Sequence, residues 1–183
     1  MSEHYPLRGH FPPRYVYETV KEAEQLPSRY INLINEKRYD EALSLLSPQL
    51  RRAYSGPAGE QALHNIQHMR LIKLVDITPI KPVVRYLPRH YAIKTYGAII
   101  DTQVYDPKPF ATCPGAIGIQ VNKFEVIKYT PESPWFIDGQ SGVPPATAKR
   151  WGLDIGKNDF DFCRRYSEGS QGNRADGTEV NVG

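Results

Sequence analysis

The hydrophobic spacing of this chain changes near residue 71, and that change restricts the folds the chain can adopt. Before this point apolar residues recur at helical intervals, and after it β-branched and aromatic residues fill segments bounded by proline. Helices followed by strands, rather than alternating with them, are typical of an α+β domain. Because short turns join the successive strand-like segments, we expect an antiparallel sheet.

Helices are predicted throughout the first part of this order. Pro27 is placed in the first turn of a helix, where its missing N–H group does no harm. Ser47 is expected to cap a later helix, with Pro48 in the first turn. The predicted helices are about Tyr15–Gln25, one from Pro27 through Ile34, one from Asp40 through Leu46, Ser47–Tyr54 and Glu60–His68.

Strands are predicted after residue 70, where β-forming residues are dense. They are Leu71–Ile77, His90–Tyr105, Gly118–Tyr129 and Trp135–Asp138. The second of these is the longest and would extend roughly 50 Å at about 3.3 Å per residue. A single strand of that length usually bends, so we expect a bulge or bend near Gly97.

The sequence predicts three segments. Residues 1–14 are dense in proline and form an extended arm. Residues 15–139 carry the α+β pattern and form one domain, a length sufficient for its own core. Residues 140–183 form an irregular, partly mobile C-terminal extension, with a short helix predicted over Ala146–Trp151 and a polar, glycine-rich end from Ser167 onward.

Composition excludes some classes of function. The chain has 23 basic and 20 acidic side chains, a net charge of +3, without the basic stripe that nucleic-acid-binding domains carry. We therefore expect no nucleic-acid partner. No run of about 18 apolar residues is present, so no transmembrane segment is expected. The first thirty residues also lack the pattern of a signal peptide.

The two cysteines, Cys113 and Cys163, are too few for a disulfide scaffold or a structural zinc site. Both flank loop-like sequence, so a single disulfide between them is sterically feasible. The alternative is two ordinary thiols. The sequence leaves both open, and a disulfide would require an oxidising compartment.

Motifs for metals and cofactors are missing from the sequence. His64 and His68 are four residues apart, as in zinc-binding helices, but Asn65 stands where a zinc protease needs glutamate. A solvated helix face explains the pair better, because no third ligand is nearby. There is also no serine elbow and no phosphate-binding glycine loop. We predict no metal and no cofactor.

Two phrases resemble the nuclear transport factor 2-like superfamily. The run from Tyr30 to Pro48 is similar to its opening helices, with Tyr39-Asp40-Glu41-Ala42 beginning a helix after a small polar turn. The runs Phe124–Tyr129 and Ser133–Gly139 resemble its last hairpin. The resemblance covers about residues 15–139. It implies a cone-like α+β fold in which a curved antiparallel sheet holds the N-terminal helices.

Members of that superfamily include enzymes and non-catalytic modules, so the fold leaves function open. Enzymes of the superfamily that resemble ketosteroid isomerase need a carboxylate base in an apolar cavity and tyrosine or acid donors. The residues that could supply such a set are Asp101, His90, Tyr91 and Tyr96. None of them lies in a motif that matches a known enzyme of the group, and a surface aspartate with core tyrosines is the alternative.

We therefore favour a non-enzymatic binding or interaction module that uses the cone mouth or the sheet face. Its partner would be a protein or a small-molecule ligand, and a homodimer is left open. The alternative is a small-molecule isomerase, dehydratase or cyclase acting in the cone interior. The phrase near Trp135 is similar to extracytoplasmic accessory domains of Gram-positive bacteria. That similarity favours an extracytoplasmic location over a cytoplasmic one.

Overall fold

The computed structural model describes residues 14–80 and 90–158 and has an α+β architecture. Its helices are α1 (Lys21–Asn35), α2 (Tyr39–Ser44), α3 (Pro48–Tyr54), α4 (Pro57–His64) and α5 (Pro145–Arg150). Its strands are β1 (Arg14–Tyr15), β2 (Ile66–Asp76), β3 (Ala92–Val104), β4 (Gly118–Lys128) and β5 (Trp135–Gly142). The predicted order of helices before strands is confirmed for α1–α4 and β2–β5, whereas the two-residue β1 precedes the helices and α5 follows the last strand.

The sheet is open and mainly antiparallel, as predicted, although the β2–β3 and β3–β4 connections are longer than the short turns on which the prediction was based. β2, β3, β4 and β5 pair in that order, each antiparallel to the next. The two residues of β1 pair parallel with Ala92 and Ile93 of β3. Since β4 lies along one edge of β3, β1 and β2 share the other edge.

Pro27 does not begin a helix, contrary to the prediction. It lies inside α1, which runs without a break from Lys21 to Asn35. An internal proline costs a helix one hydrogen bond and crowds the preceding turn. Here the whole buried side of α1, from Ala23 through Ile34, packs into the core and outweighs that cost. Tyr15, expected in the first helix, belongs to β1 instead.

The last predicted helix of the N-terminal half is also corrected. α4 ends at His64, and β2 begins only two residues later at Ile66. Asn65 makes this sharp change of direction, because its side chain bonds both the N–H and the C=O group of Asp106, each at 2.8 Å. His64 and His68 therefore lie on different elements, and their spacing does not place them on one helix face.

One face of the sheet shares a hydrophobic core with the helices. α1 contributes Tyr30, Ile31 and Ile34, and each is at most 2% exposed. Large side chains from the sheet enter the same cluster, among them Tyr96, Phe124 and Trp135. Arg51 secures the short helices, since its guanidinium donates to the backbone oxygens of Leu43, Ser44 and Leu46 at the end of α2.

The other face of the sheet is covered in part by residues 143–155. Trp151 and Leu153 pack there with Ile77 and Val121 in a second buried cluster. A Cβ atom on Gly97 would lie 2.6 Å from Leu153 Cδ1, so the absence of a side chain at residue 97 lets this segment approach the sheet. The extension predicted for residues 140–183 is described to residue 158. This part contains the end of β5 and α5, which overlaps the helix predicted over Ala146–Trp151, and it supplies Val143, Ala148, Trp151 and Leu153 to the second cluster.

Bulges occur, but not where the sequence predicted one. β3 pairs with β4 from Ala92 to Thr102 without a shift of register, and Gly97 is regularly paired. The irregular positions lie in β2, between Ile66 and His68 and between Leu71 and Lys73. Another lies in β5, where Glu125 pairs with Gly139 but the next residue, Val126, pairs with Ile137. Asp138 is the extra residue of that bulge.

Candidate functional site

The structure separates the four residues that the sequence suggested as a catalytic set. Tyr96 and Asp101 are five positions apart on β3, whose register with β4 is regular, so they point to opposite faces of the sheet. Tyr96 is 2% exposed, whereas Tyr91 is 42% exposed. His90 precedes the strand and packs elsewhere. These side chains do not converge on one reaction centre.

Asp101 lies in a surface ion pair. Its carboxylate is 3.6 Å from Arg70 Nη2 across the β2–β3 ladder, and Gln103 Nε2 donates to it at 2.9 Å. Arg70 is 63% exposed. This arrangement matches the alternative of a surface aspartate rather than a base held in an apolar cavity.

Tyr96 is buried between the helices and the sheet. Among the described residues its hydroxyl has no hydrogen-bond partner, and burial raises the pKa of that hydroxyl. The neighbouring carboxylates of Asp76 and Glu24 raise the pKa further. The phenol therefore stays neutral at physiological pH.

A buried lysine lies beside Tyr96. Lys94 is 0% exposed, and its Nζ atom has an acceptor for each of its three hydrogens. These acceptors are Asp76 Oδ2 at 2.6 Å, the backbone oxygen of Val16 at 2.8 Å and that of Glu18 at 2.7 Å. Because every donor is used, Lys94 serves as a clamp that ties the segment before α1 to the sheet.

His90 lies beside Asp138 at the bulge of β5, and Asp138 is in turn hydrogen-bonded to Ser47. The His90 Nε2 atom is 3.7 Å from Asp138 Oδ2, and the two side chains are only 7% and 11% exposed. Ser47 donates its hydroxyl hydrogen to Asp138 Oδ1 at 2.6 Å and accepts from the backbone N–H of Leu50. The cap that the sequence predicted at Ser47 is thus confirmed.

Burial perturbs both titratable groups of this cluster. Desolvation lowers the pKa of His90, although Asp138 and Glu125 act in the opposite direction. Desolvation also raises the pKa of Asp138, against the hydrogen bond from Ser47 and the attraction of His90. The carboxylate of Asp138 lies between the serine and the histidine and accepts the Ser47 hydrogen, so the imidazole does not serve as the base for that hydroxyl. The cluster is therefore not arranged as a nucleophilic triad.

Sequence reasoning selected His90 but missed Asp138 and Ser47. Asp138 reaches the cluster because the bulge makes it the unpaired residue at the sheet edge, and bulges often redirect a side chain in this way. The backbone of Ile137 exchanges hydrogen bonds with Leu45 and Ser47, which brings the helical segment to the same edge. The Ser-Pro cap was a usable signal for Ser47, but no sequence pattern marked the bulge.

A groove of about 360 Å³ lies on the helical side of the molecule. Leu43 and Leu63 give it apolar surface, and the rings of Tyr39 and His64 stack at 4.5 Å along its wall. Its charged lining residues are Lys37, Arg38, Asp40, Glu41 and Glu60. The groove thus combines an apolar floor with a charged rim.

The remaining sequence expectations concern metals, membranes and the cysteines. Within residues 14–80 and 90–158, no three histidine, cysteine or acidic side chains are placed to hold a metal ion. No helix in those ranges is long and apolar enough to cross a membrane. Cys163 lies outside the described residues, so its pairing with Cys113 stays a prediction.

Comparison with known proteins identifies no match for this chain among family models, curated proteins or solved structures.

Proposed function

We propose that this chain is a non-enzymatic interaction module with a cone-like fold of the nuclear transport factor 2-like type. One observation carries the proposal: large aromatic side chains fill the space between the helices and the sheet. Tyr30, Tyr96, Phe124 and Trp135 are each at most 8% exposed and belong to one cluster. An enzyme of this type would need that volume for its substrate.

The groove beside α2 and α4 is the binding surface that we assign to the module. The sequence predicts the cone mouth or the sheet face for this role, and that prediction stays open beside the groove. The helices pack on one face of the sheet, however, and residues 143–155 cover part of the other. The groove is open and has a volume suited to a few side chains of a partner.

The charges of the groove favour a partner that brings a basic side chain next to an apolar one. Arg38 is already paired with Glu36 and Glu41, and Lys37 Nζ donates to the backbone oxygen of Ile66 at 2.8 Å. Asp40 and Glu60 are exposed and form no salt bridge with any residue that the structure describes. Leu43 and Leu63 would receive the apolar group. We therefore propose a protein segment with leucine and arginine side by side as the occupant.

Two capped dipeptides test this proposal. We expect acetyl-Leu-Arg-amide to shift the backbone amide resonances of Leu63 and His64 in a saturable way. Acetyl-Leu-Glu-amide should bind several-fold more weakly, because each exposed charge pair contributes about 0.2–1 kcal/mol. The double variant Asp40→Asn/Glu60→Gln should lose the preference for arginine. The measurement is an NMR titration of the full chain.

The remote variant Glu132→Gln serves as the control, since Glu132 is exposed and lies in the β4–β5 turn. It should keep the preference for the arginine dipeptide. Equal affinity for the two dipeptides would contradict the assignment of the groove. Shifts centred on Tyr96 and Phe124 would instead favour the alternative, a small molecule bound in the interior.

The interior alternative has one observation in its favour, the Tyr96 hydroxyl that lacks a partner among the described residues. If the interior holds no ligand, Tyr96→Phe should leave stability unchanged or raise it by about 1 kcal/mol, because it removes a buried unsatisfied group. Urea denaturation measures this change. A loss of more than about 1 kcal/mol would mean that the hydroxyl is satisfied in solution, and an interior ligand would then become the better explanation.

A further inference from the structure

The carboxylate of Asp138 is held in a fixed position beside His90. Its Oδ1 atom accepts a hydrogen bond from Ser47, which is 0% exposed, and its Oδ2 atom lies on the side of the imidazole. The neighbouring backbone is restrained by the two hydrogen bonds of Ile137 to the helical segment. The negative charge of this carboxylate therefore acts on the His90 imidazole from a fixed position.

That charge determines which ring nitrogen of His90 carries the hydrogen. Nε2 is the nitrogen 3.7 Å from Asp138 Oδ2, and a carboxylate favours an N–H group on the side that faces it. Desolvation lowers the pKa of His90, so the ring is neutral at physiological pH. In a neutral ring with hydrogen on Nε2, the Nδ1 atom has a free lone pair and can only accept.

The Nδ1 atom is buried and has no hydrogen-bond partner among the described residues. Leaving a buried acceptor unpaired destabilises the folded state, because the lost water contact is not replaced. The carboxylate of Asp138 is also kept away from water, which is unfavourable for its charged form and raises its pKa. Groups that reduce stability in this way are concentrated at functional sites.

The surroundings of His90 are aromatic. The ring of Tyr129 contacts the imidazole edge-on at 5.9 Å between centroids, and Phe136 lies 5.8 Å from Tyr129. An apolar group loses no hydration against these rings, whereas a charged group would. A lone-pair acceptor with aromatic neighbours suits a hydroxyl group attached to an apolar body.

We propose that His90 Nδ1 is the acceptor of a second binding site, separate from the groove, which takes a small uncharged molecule bearing a hydroxyl on an aromatic ring. Ser47 and Asp138 are positioning residues in this site, because they act on the ligand only through the imidazole.

Phenol and anisole form a matched pair of probes for this site, since they share a ring and only phenol has an O–H donor. The full chain, labelled with ¹⁵N at histidine, is titrated with each and followed by long-range ¹H–¹⁵N correlation. Free protein should show hydrogen on Nε2 and a bare Nδ1 for His90. Phenol should shift the Nδ1 resonance in a saturable way, and anisole should not.

His90→Phe keeps an aromatic ring against Tyr129 and removes the acceptor. This variant should remain folded by circular dichroism and lose the rise in melting temperature that phenol gives the parent chain. His68→Phe, which changes an exposed histidine on β2 outside the groove, should retain that rise. Three results would overturn the proposal: hydrogen on Nδ1, an Nδ1 already hydrogen-bonded in the free protein, or equal shifts with phenol and anisole.

Discussion

Replacement of Lys94 by methionine should destabilise the fold by about 2–4 kcal/mol. Breaking a fully buried ion pair typically costs about 3–5 kcal/mol. We expect a smaller loss here because the side chain of Asp76 is 30% exposed and can regain water. Methionine fills most of the volume but offers no donor to the oxygens of Val16 and Glu18. The free energy of unfolding in urea measures the loss.

Lys73→Met is the matched control for this experiment. Lys73 lies on the neighbouring strand β2, is exposed, and should change stability by no more than about 0.5 kcal/mol. The single variants Asp76→Asn and Lys94→Met and the double variant form a double-mutant cycle. We expect a coupling energy between the two side chains of at least about 1 kcal/mol. Equal losses for Lys94→Met and Lys73→Met would show that the clamp contributes nothing.

The order of elements could be predicted because hydrophobic periodicity reports local structure. The four long strands of the sheet each overlap a predicted strand, and the Ser47-Pro48 cap marked the start of α3. Pro27 was misplaced because local preference opposes a proline inside a helix, while the core contacts that outweigh this preference are not local. Such tertiary overrides are invisible in a window of sequence.

The candidate site was predictable only in fragments for a related reason. His90 and Asp138 are 48 positions apart and meet because a bulge redirects Asp138 toward the helical segment. Tyr96 and Asp101 are an odd number of positions apart on β3, so their side chains point to opposite faces of the sheet. That inference needed only a strand without a bulge. The bulges lie in β2 and β5 instead, and none of the extra residues, Gln67, Ile72 and Asp138, is a glycine.

The sequence did not predict that residues 143–155 cover the second face of the sheet, because apolar residues do not recur in this segment at a regular interval. Val143, Trp151 and Leu153 are apolar, but prolines, small residues and three polar side chains separate them, and the helix between them is short. The sequence did carry one sign of this cover, the apolar residues Val121 and Ile99 on the covered face of the sheet. A strand whose second face meets solvent usually has polar residues at such positions. A strand that is apolar on both faces predicts a cover on each.

Trp151→Ala should therefore cost about 3–5 kcal/mol, the usual range for removing a large buried aromatic side chain. Trp151 is 8% exposed and packs against Ile77 and Val121 on the sheet face away from α1. Tyr17→Ala is the control, because Tyr17 is 61% exposed and should contribute little. The free energy of unfolding in urea gives both values. A small loss for Trp151→Ala would mean that residues 143–155 do not cover the sheet in solution.

Substitutions at Gly97 and Leu153 test whether residues 143–155 dock on the sheet, because their effects depend on direct contact and not only on the loss of apolar surface. Gly97→Ala places a Cβ atom 2.6 Å from Leu153 Cδ1, and overpacking of this kind costs about 1–3 kcal/mol. Leu153→Ala removes the opposing atom, so Gly97→Ala should cost measurably less in that background than in the parent chain. Additive losses would indicate that the two residues do not meet. A positive coupling would establish that the segment after β5 rests on β3 and is part of the domain.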